Sequence, residues 1–138
     1  MTRATPHAIV VRMHGRRVLL VDADPMQRLT IDRQLELLGW DALLLNRGSE
    51  AIRALEMGFA ADVLLADVQL PDMDGAVVAW MVGRVSPHMR VAFMGRAWPQ
   101  RPLEPHHAPF ALKPFSIPTL DRVMRCAVPT RSVVAPDA

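Results

Sequence analysis

Two four-residue apolar runs, Val18–Val21 and Val63–Ala66, each end on an aspartate, Asp22 and Asp67. Runs this short with no polar residue inside them suit strands buried on both faces, which is the environment of a parallel sheet covered by helices. The segments between such runs carry helical punctuation. Asp24-Pro25 reads as an N-cap followed by proline at the first helical position. Leu29, Ile31, Leu35 and Leu38 form a helical stripe that Gly39 stops. Ala42–Leu45 is expected as a second strand. A short helix follows, capped by Ser49 and closed by Gly58. After the third strand and a turn over 70–75, Ala76–Val82 reads as a helix stopped by Gly83, and Val91–Met94 as a fourth strand. The alternation predicts βαβ units and a parallel sheet.

The pattern changes between 99 and 118, where six prolines fall in twenty residues: Pro99, Pro102, Pro105, Pro109, Pro114 and Pro118. Proline inside a helix costs ~3 kcal/mol, so the connection to the fifth strand, Phe110–Leu112, is expected to be a loop or a single turn. A closing helix is expected over Thr119–Val128. Residues 1–16 and 129–138 read as tails around one domain, 17–128.

Charge sharpens this picture. Of sixteen cations, fifteen are arginine and one is lysine, Lys113. Residues 1–17 hold four arginines and no acid, whereas 18–121 hold nine cations against thirteen acids, a net of −4. The basic character sits in the tails and the body is acidic, so nucleic-acid binding is not expected; four N-terminal arginines without a helix-turn-helix pattern do not make an interface. One cysteine, Cys126, cannot close an internal disulfide. No apolar run reaches the ~18 residues of a membrane span. A soluble cytoplasmic protein is the expectation.

In a parallel sheet, ligand chemistry collects at the carboxyl ends of the strands. There the first strand delivers Asp22 and Asp24, the third Asp67, and the fifth Lys113. Several acids with one ammonium suit a hard divalent cation such as Mg²⁺, a carboxylate nucleophile toward phosphorus, and a cation that screens the transferred charge.

Three segments carry a family resemblance: Val18-Leu-Leu-Val-Asp22-Ala-Asp-Pro25, Asp67-Val-Gln-Leu-Pro71-Asp-Met-Asp-Gly75, and Lys113-Pro114-Phe115. In order and spacing they resemble the receiver (REC) domain of two-component response regulators, across roughly 17–128. The resemblance implies a flavodoxin-like, doubly wound α/β fold with a five-stranded parallel sheet of order 2-1-3-4-5, here with the fourth helix short or absent. It implies Asp67 as phospho-acceptor, supplied by a histidine kinase or histidine phosphotransfer protein. Lys113 would pair with Asp67 and then with the phosphoryl oxygens, and the Lys113–Pro114 bond is often cis in such domains. Mg²⁺ would be held by Asp22, Asp67 and the backbone carbonyl of Gln69. Phe110 matches the aromatic switch position. Such a domain is a signalling module whose chemistry is at most self-catalysed phosphotransfer and dephosphorylation. Its partners would be the phosphodonor and a downstream protein, with a homodimer left open and no membrane involved.

Two positions depart from the family pattern. The second acid of the usual acidic pair is Ala23, whose methyl cannot coordinate Mg²⁺, so weaker metal binding is expected unless Asp24 takes its place. The hydroxyl residue at the end of the fourth strand is replaced by Gly95, and no Thr or Ser lies between 87 and 115. These departures motivate an alternative, a pseudo-receiver that binds a partner without depending on phosphorylation. An enzymatic alternative, a haloacid-dehalogenase-type phosphatase built on Asp22-Ala-Asp24, leaves Asp67 unexplained. Other residues carry plainer expectations. Asp24 is foremost a helix cap, Asp72 and Asp74 are turn residues, and Glu50 and Glu56 are solvated. His106-His107 reads as an exposed loop, and Cys126 as a small core residue. Trp40 and Trp80 read as packing residues, whereas Trp98, beside the altered loop, could anchor a partner.

Overall fold

A computed structural model of the chain describes residues 16–101, 103 and 108–130. The expected tails 1–15 and 131–138 and the His106-His107 pair lie outside the described residues. Strands β1 (Arg17–Val21), β2 (Asp41–Leu45), β3 (Val63–Asp67), β4 (Arg90–Gly95) and β5 (Phe110–Leu112) form a parallel sheet in the order β2-β1-β3-β4-β5. Helices α1 (Pro25–Leu37), α2 (Gly48–Glu56), α3 (Gly75–Val85) and α4 (Ile117–Arg125) connect or follow them. The fold is doubly wound and flavodoxin-like, as expected. None of these helices is long and apolar enough to cross a membrane.

Side-chain alternation along the strands explains why both faces need cover. Val18, Leu20, Val63, Leu65, Ala92 and Met94 point to one face and pack with Ile31 and Leu35 of α1 and Leu120, Val123 and Met124 of α4. Leu19, Val21, Leu64, Ala66, Val91 and Phe93 point to the other and pack with Ala51 and Ile52 of α2 and Val78, Ala79 and Val82 of α3. Between β4 and β5 no helix occurs among the described residues. Leu103, Ala108 and Phe110 instead lie partly buried against the second face. The described part of the proline-rich connection thus lays side chains on the sheet.

Helix α1 starts as its sequence dictates: Asp24 Oδ1 accepts the backbone N–H of Met26 and Gln27, with Pro25 in the first turn. Gly39 ends it at φ +91° and Gly58 follows α2 at φ +96°, conformations that glycine adopts freely.

Other expectations are corrected. Leu29 is exposed, so only Ile31 and Leu35 of the stripe are buried. Ser49 lies within α2, because Arg47 occupies the cap position. Glu50 reaches back to the N–H groups of Asn46 and Arg47, so it is a structural acceptor as well as a surface charge. Gly83 does not stop α3, which continues to Val85. A Cβ there would stand 3.0 Å from the Thr130 carbonyl oxygen, so this glycine admits a close neighbour. The closing helix ends at Arg125, and Cys126, just beyond it, is exposed.

The neighbour of Gly83 directly follows a sixth strand, β6 (Val128–Pro129), antiparallel to β4 at Val91 and Arg90. Thr130 is buried, and both its N–H and its hydroxyl donate to the Met89 carbonyl. Pro129 therefore lies in the sheet and Thr130 is tied to the Met89 carbonyl, where a tail was expected. Arg16 is exposed, and its guanidinium lies 4.8 Å from the Trp40 ring centroid.

Candidate functional site

The carboxyl ends of β1, β3 and β5 meet at one ion cluster. Lys113 Nζ lies 2.6 Å from Asp22 Oδ2 and 2.6 Å from Asp67 Oδ2. The lysine side chain is 5% exposed, Asp22 2% and Asp67 15%. Both carboxylates use one oxygen on the ammonium and the other on backbone: Asp22 Oδ1 accepts Asp24 N–H at 2.9 Å, and Asp67 Oδ1 accepts Gln69 N–H at 2.9 Å. One cation shared by two carboxylates, with backbone donors on the remaining oxygens, is how a low-dielectric site tolerates like charges together.

Each member is fixed by the element that carries it. Asp22 N–H donates to Leu45 O, and the Arg28 guanidinium donates to Asp22 O, tying the end of β1 to β2 and α1. Val68 N–H donates to Met94 O just past Asp67, and Lys113 N–H donates to Gly95 O. The Lys113–Pro114 peptide is cis. Gly75 is required where α3 crosses the end of β3, because a Cβ there would come within 2.5 Å of the Asp67 carbonyl oxygen.

The cluster opens on a cleft of about 1020 Å³ whose walls include Asp22, Ala23, Asp24, Asp67, Gln69, Arg96, Trp98, Arg101 and Lys113. The sequence-predicted acids and lysine are therefore together. Asp24 stands at the rim with its own partners, the α1 N-terminus through Oδ1 and the Arg96 guanidinium through Oδ2 at 3.1 Å. Phe110 is half-buried beneath Trp98, ring centroids 5.3 Å apart. Its Cε1 and Cζ would lie 3.2 Å from a Cβ on Gly95, and Val68 Cγ2 3.0 Å. The aromatic ring thus borders the space into which a side chain at 95 would project.

Two residues near the site do more than their sequence positions declared. Arg96 was given no role from sequence, although its place directly after a strand next to Asp67 is a topological signal. Asp72 was read as a turn residue, yet its carboxylate accepts the N–H groups of Gly48 and Ser49, 2.9 Å each, and closes the α2 N-terminus from the β3–α3 turn. Burial pushes its pKa up, but the bonds from Ser49 and Gly48 outweigh this and hold it below the ordinary carboxylate value. Asp32 on α1 goes the other way: burial, then the charges of Glu36 and Asp41, raises it.

A metal at this cleft could draw on Asp22, Asp67 and the Gln69 carbonyl, residues that all line it. Among the described residues no group of three His, Cys, Asp or Glu side chains gathers around a common point. Mg²⁺ is commonly held by one or two carboxylates with the rest of its shell water, so these residues fit a hydrated Mg²⁺ and not an all-protein cage.

The family model for the response regulator receiver domain matches residues 18–123. Over 58 residues, 42% of this chain, the chain is 40% identical to the sensor protein EvgS of Escherichia coli K12, and over 59 residues, 43% of this chain, it is 41% identical to the transcriptional regulatory protein TrcR of Mycobacterium tuberculosis. These matches span only 5% and 23% of those longer proteins. Among solved structures, a response regulator receiver protein from Sinorhizobium medicae superposes with a TM-score of 0.71 at 21% identity, covering 82% of this chain and 94% of that one. A CheY-like receiver domain from Methanospirillum hungatei gives 0.71 at 20%, covering 80% and 91%.

Proposed function

The chain belongs to the response regulator receiver domain family, and from that premise we propose that Asp67 is its phospho-acceptor. Receiver domains are signalling modules that work with histidine kinases or phosphotransfer proteins in two-component systems, and they generally bind Mg²⁺ at the phosphorylation site. The observation that carries the residue assignment is the ammonium of Lys113, 2.6 Å from an Asp67 carboxylate that is partly exposed to the cleft. An Asp67 oxygen attacks the phosphorus of a phosphohistidine. The new O–P bond forms as the P–N bond breaks, and the bonding pair stays on the imidazole nitrogen, which takes a proton from solvent. Lys113 follows the negative charge onto the phosphoryl oxygens while Asp22 keeps the ammonium in place.

Asp22, Asp67 and the Gln69 carbonyl would hold Mg²⁺, which supplies charge neutralisation on the phosphoryl group. Ala23 leaves that set one carboxylate short of the usual, so affinity for Mg²⁺ is lowered. Asp24, whose Oδ1 caps α1, compensates little. The receiver body runs from 17 through the sheet residues that follow 128, acts in the cytoplasm, and passes its signal by protein contact at the surface around Phe110 and Gly95, to a downstream protein or a second copy.

Incubation with a small phosphodonor and Mg²⁺ should give an acyl phosphate, detected by mass and lost in Asp67→Asn. Absence of label over a wide Mg²⁺ range and with any histidine kinase would refute this reading and leave a phosphorylation-independent interaction module.

A further inference from the structure

The strand end that normally offers a hydroxyl here offers none. Gly95 has no side chain, Val68 and the Phe110 ring crowd the position a Cβ would take, and Ala97 has no donor. Between them stands Arg96, which lines the cleft with Asp67 and Lys113 and donates to Asp24 Oδ2 at 3.1 Å. That contact is a solvent-exposed one, with Arg96 69% and Asp24 39% exposed, and such pairs are weak. Asp24 does not depend on it, because its other oxygen caps α1.

Charge decides where the guanidinium goes next. Two formal carboxylates share one ammonium, a net of −1. Conversion of Asp67 to an acyl phosphate dianion makes that −2 and adds three oxygen acceptors beside the cleft. A guanidinium presents a planar fork of donors matched to phosphoryl oxygens and binds them better than it binds one exposed carboxylate oxygen.

We propose that Arg96 grips the phosphoryl oxygens once Asp67 carries them, exchanging Asp24 for the phosphoryl group; the inference rests on Asp67 being the acceptor. No covalent bond of Arg96 changes. The exchange unties the start of the β4–β5 connection from α1, two residues before Trp98, whose ring lies on Phe110. The phosphoryl state is then read through the Trp98–Phe110 pair, by a guanidinium in place of a hydroxyl.

Beryllofluoride, which coordinates an aspartate carboxylate as a phosphoryl group would, tests this on the full chain at fixed Mg²⁺ with ¹⁹F resonances as readout. Arg96→Ala should weaken binding about tenfold, in the range of a lost charge-assisted contact, and Arg96→Lys should recover part of it. Asp24→Asn keeps an oxygen for the α1 cap and frees the guanidinium, so binding should tighten. Arg101→Ala removes another cation from the same cleft and should change little. Equal losses in Arg101→Ala and Arg96→Ala would reduce the effect to a diffuse field and overturn the assignment. Asp67-dependent binding that ignores both Arg96→Ala and Asp24→Asn would sink it while leaving the acceptor reading intact. Absence of Asp67-dependent binding in the unaltered chain would remove both. Saturable binding of inorganic phosphate to Asp67→Asn, lost with Arg96→Ala, would instead mark a free-anion site and equally overturn it.

Discussion

The carboxyl edge of the sheet has two unlike halves. Where β1, β3 and β5 end, Asp22, Asp67 and Lys113 are between 2% and 15% exposed and every carboxylate oxygen has a donor. Where β4 ends, Gly95 contributes no side chain, and Arg96 and Trp98 stand 69% and 65% exposed. The first half is constrained because burial makes each missing partner expensive. Beyond the buried Gly95 the second meets water, which replaces lost partners at little cost, so Arg96 and Trp98 are free to vary.

That contrast can be broken experimentally. Lys113→Ala leaves two nearly buried carboxylates with no cation, and should lower stability by about 3–5 kcal/mol in urea denaturation. A loss below about 1 kcal/mol would mean that water already reaches the cluster and the halves are alike. Gly95→Thr forces a side chain against Val68 and the Phe110 ring. It should cost about 1–3 kcal/mol by overpacking and move the ring away from Trp98, visible in aromatic NMR shifts. A neutral result would show that Val68 and the Phe110 ring give way, and that the tight packing around Gly95 constrains nothing.

Asp72→Ala removes the acceptor that closes the α2 N-terminus and should cost about 1 kcal/mol. The sign with pH follows from its lowered pKa. The folded chain binds this proton less readily than the unfolded chain, so the stabilisation is complete above the ordinary value of 3.8 and fades as pH falls through the lower folded value. Comparison of the two proteins at pH 7 and under acid, by thermal melts, should therefore show the difference shrinking at low pH. Trp98→Ala should change stability by less than about 0.5 kcal/mol, since the ring is mostly in water. A larger loss would place Trp98 in the core and extend the constrained half to it.

The same asymmetry governs what could be read from the amino-acid order. Apolar runs ending in Asp22 and Asp67 declare both the strand and the place where it stops, so the acid cluster was legible from them, whereas the sheet order came from the family resemblance of the three segments. Asp24-Pro25 was legible because a cap is a local device. Gly83 was not, since a glycine that ends a helix and one that admits a neighbour are the same letter, and the neighbour, Thr130, is forty-seven positions away. Ser49 misled for a related reason: the acceptor that closes α2 comes from Asp72 on another loop. Cys126 followed an apolar face one residue too far, past the end of the last helix. Arg96 was hidden among fifteen arginines, and only the pairing of β4 beside β3 sets it at the site.

The sixth strand has a consequence for association. One side of β4 is shared end to end by two short pieces, β6 at Arg90 and Val91 and β5 from Phe93 to Gly95. With β3 on its other side, β4 presents little free ladder, and among the described residues the outer strands there are the three-residue β5 and the two-residue β6. A rim so short is a poor template for strand addition or edge-to-edge aggregation. A protein that recognises this side of the domain must do so through side chains, by shape and charge, and not by extending the sheet with its own backbone.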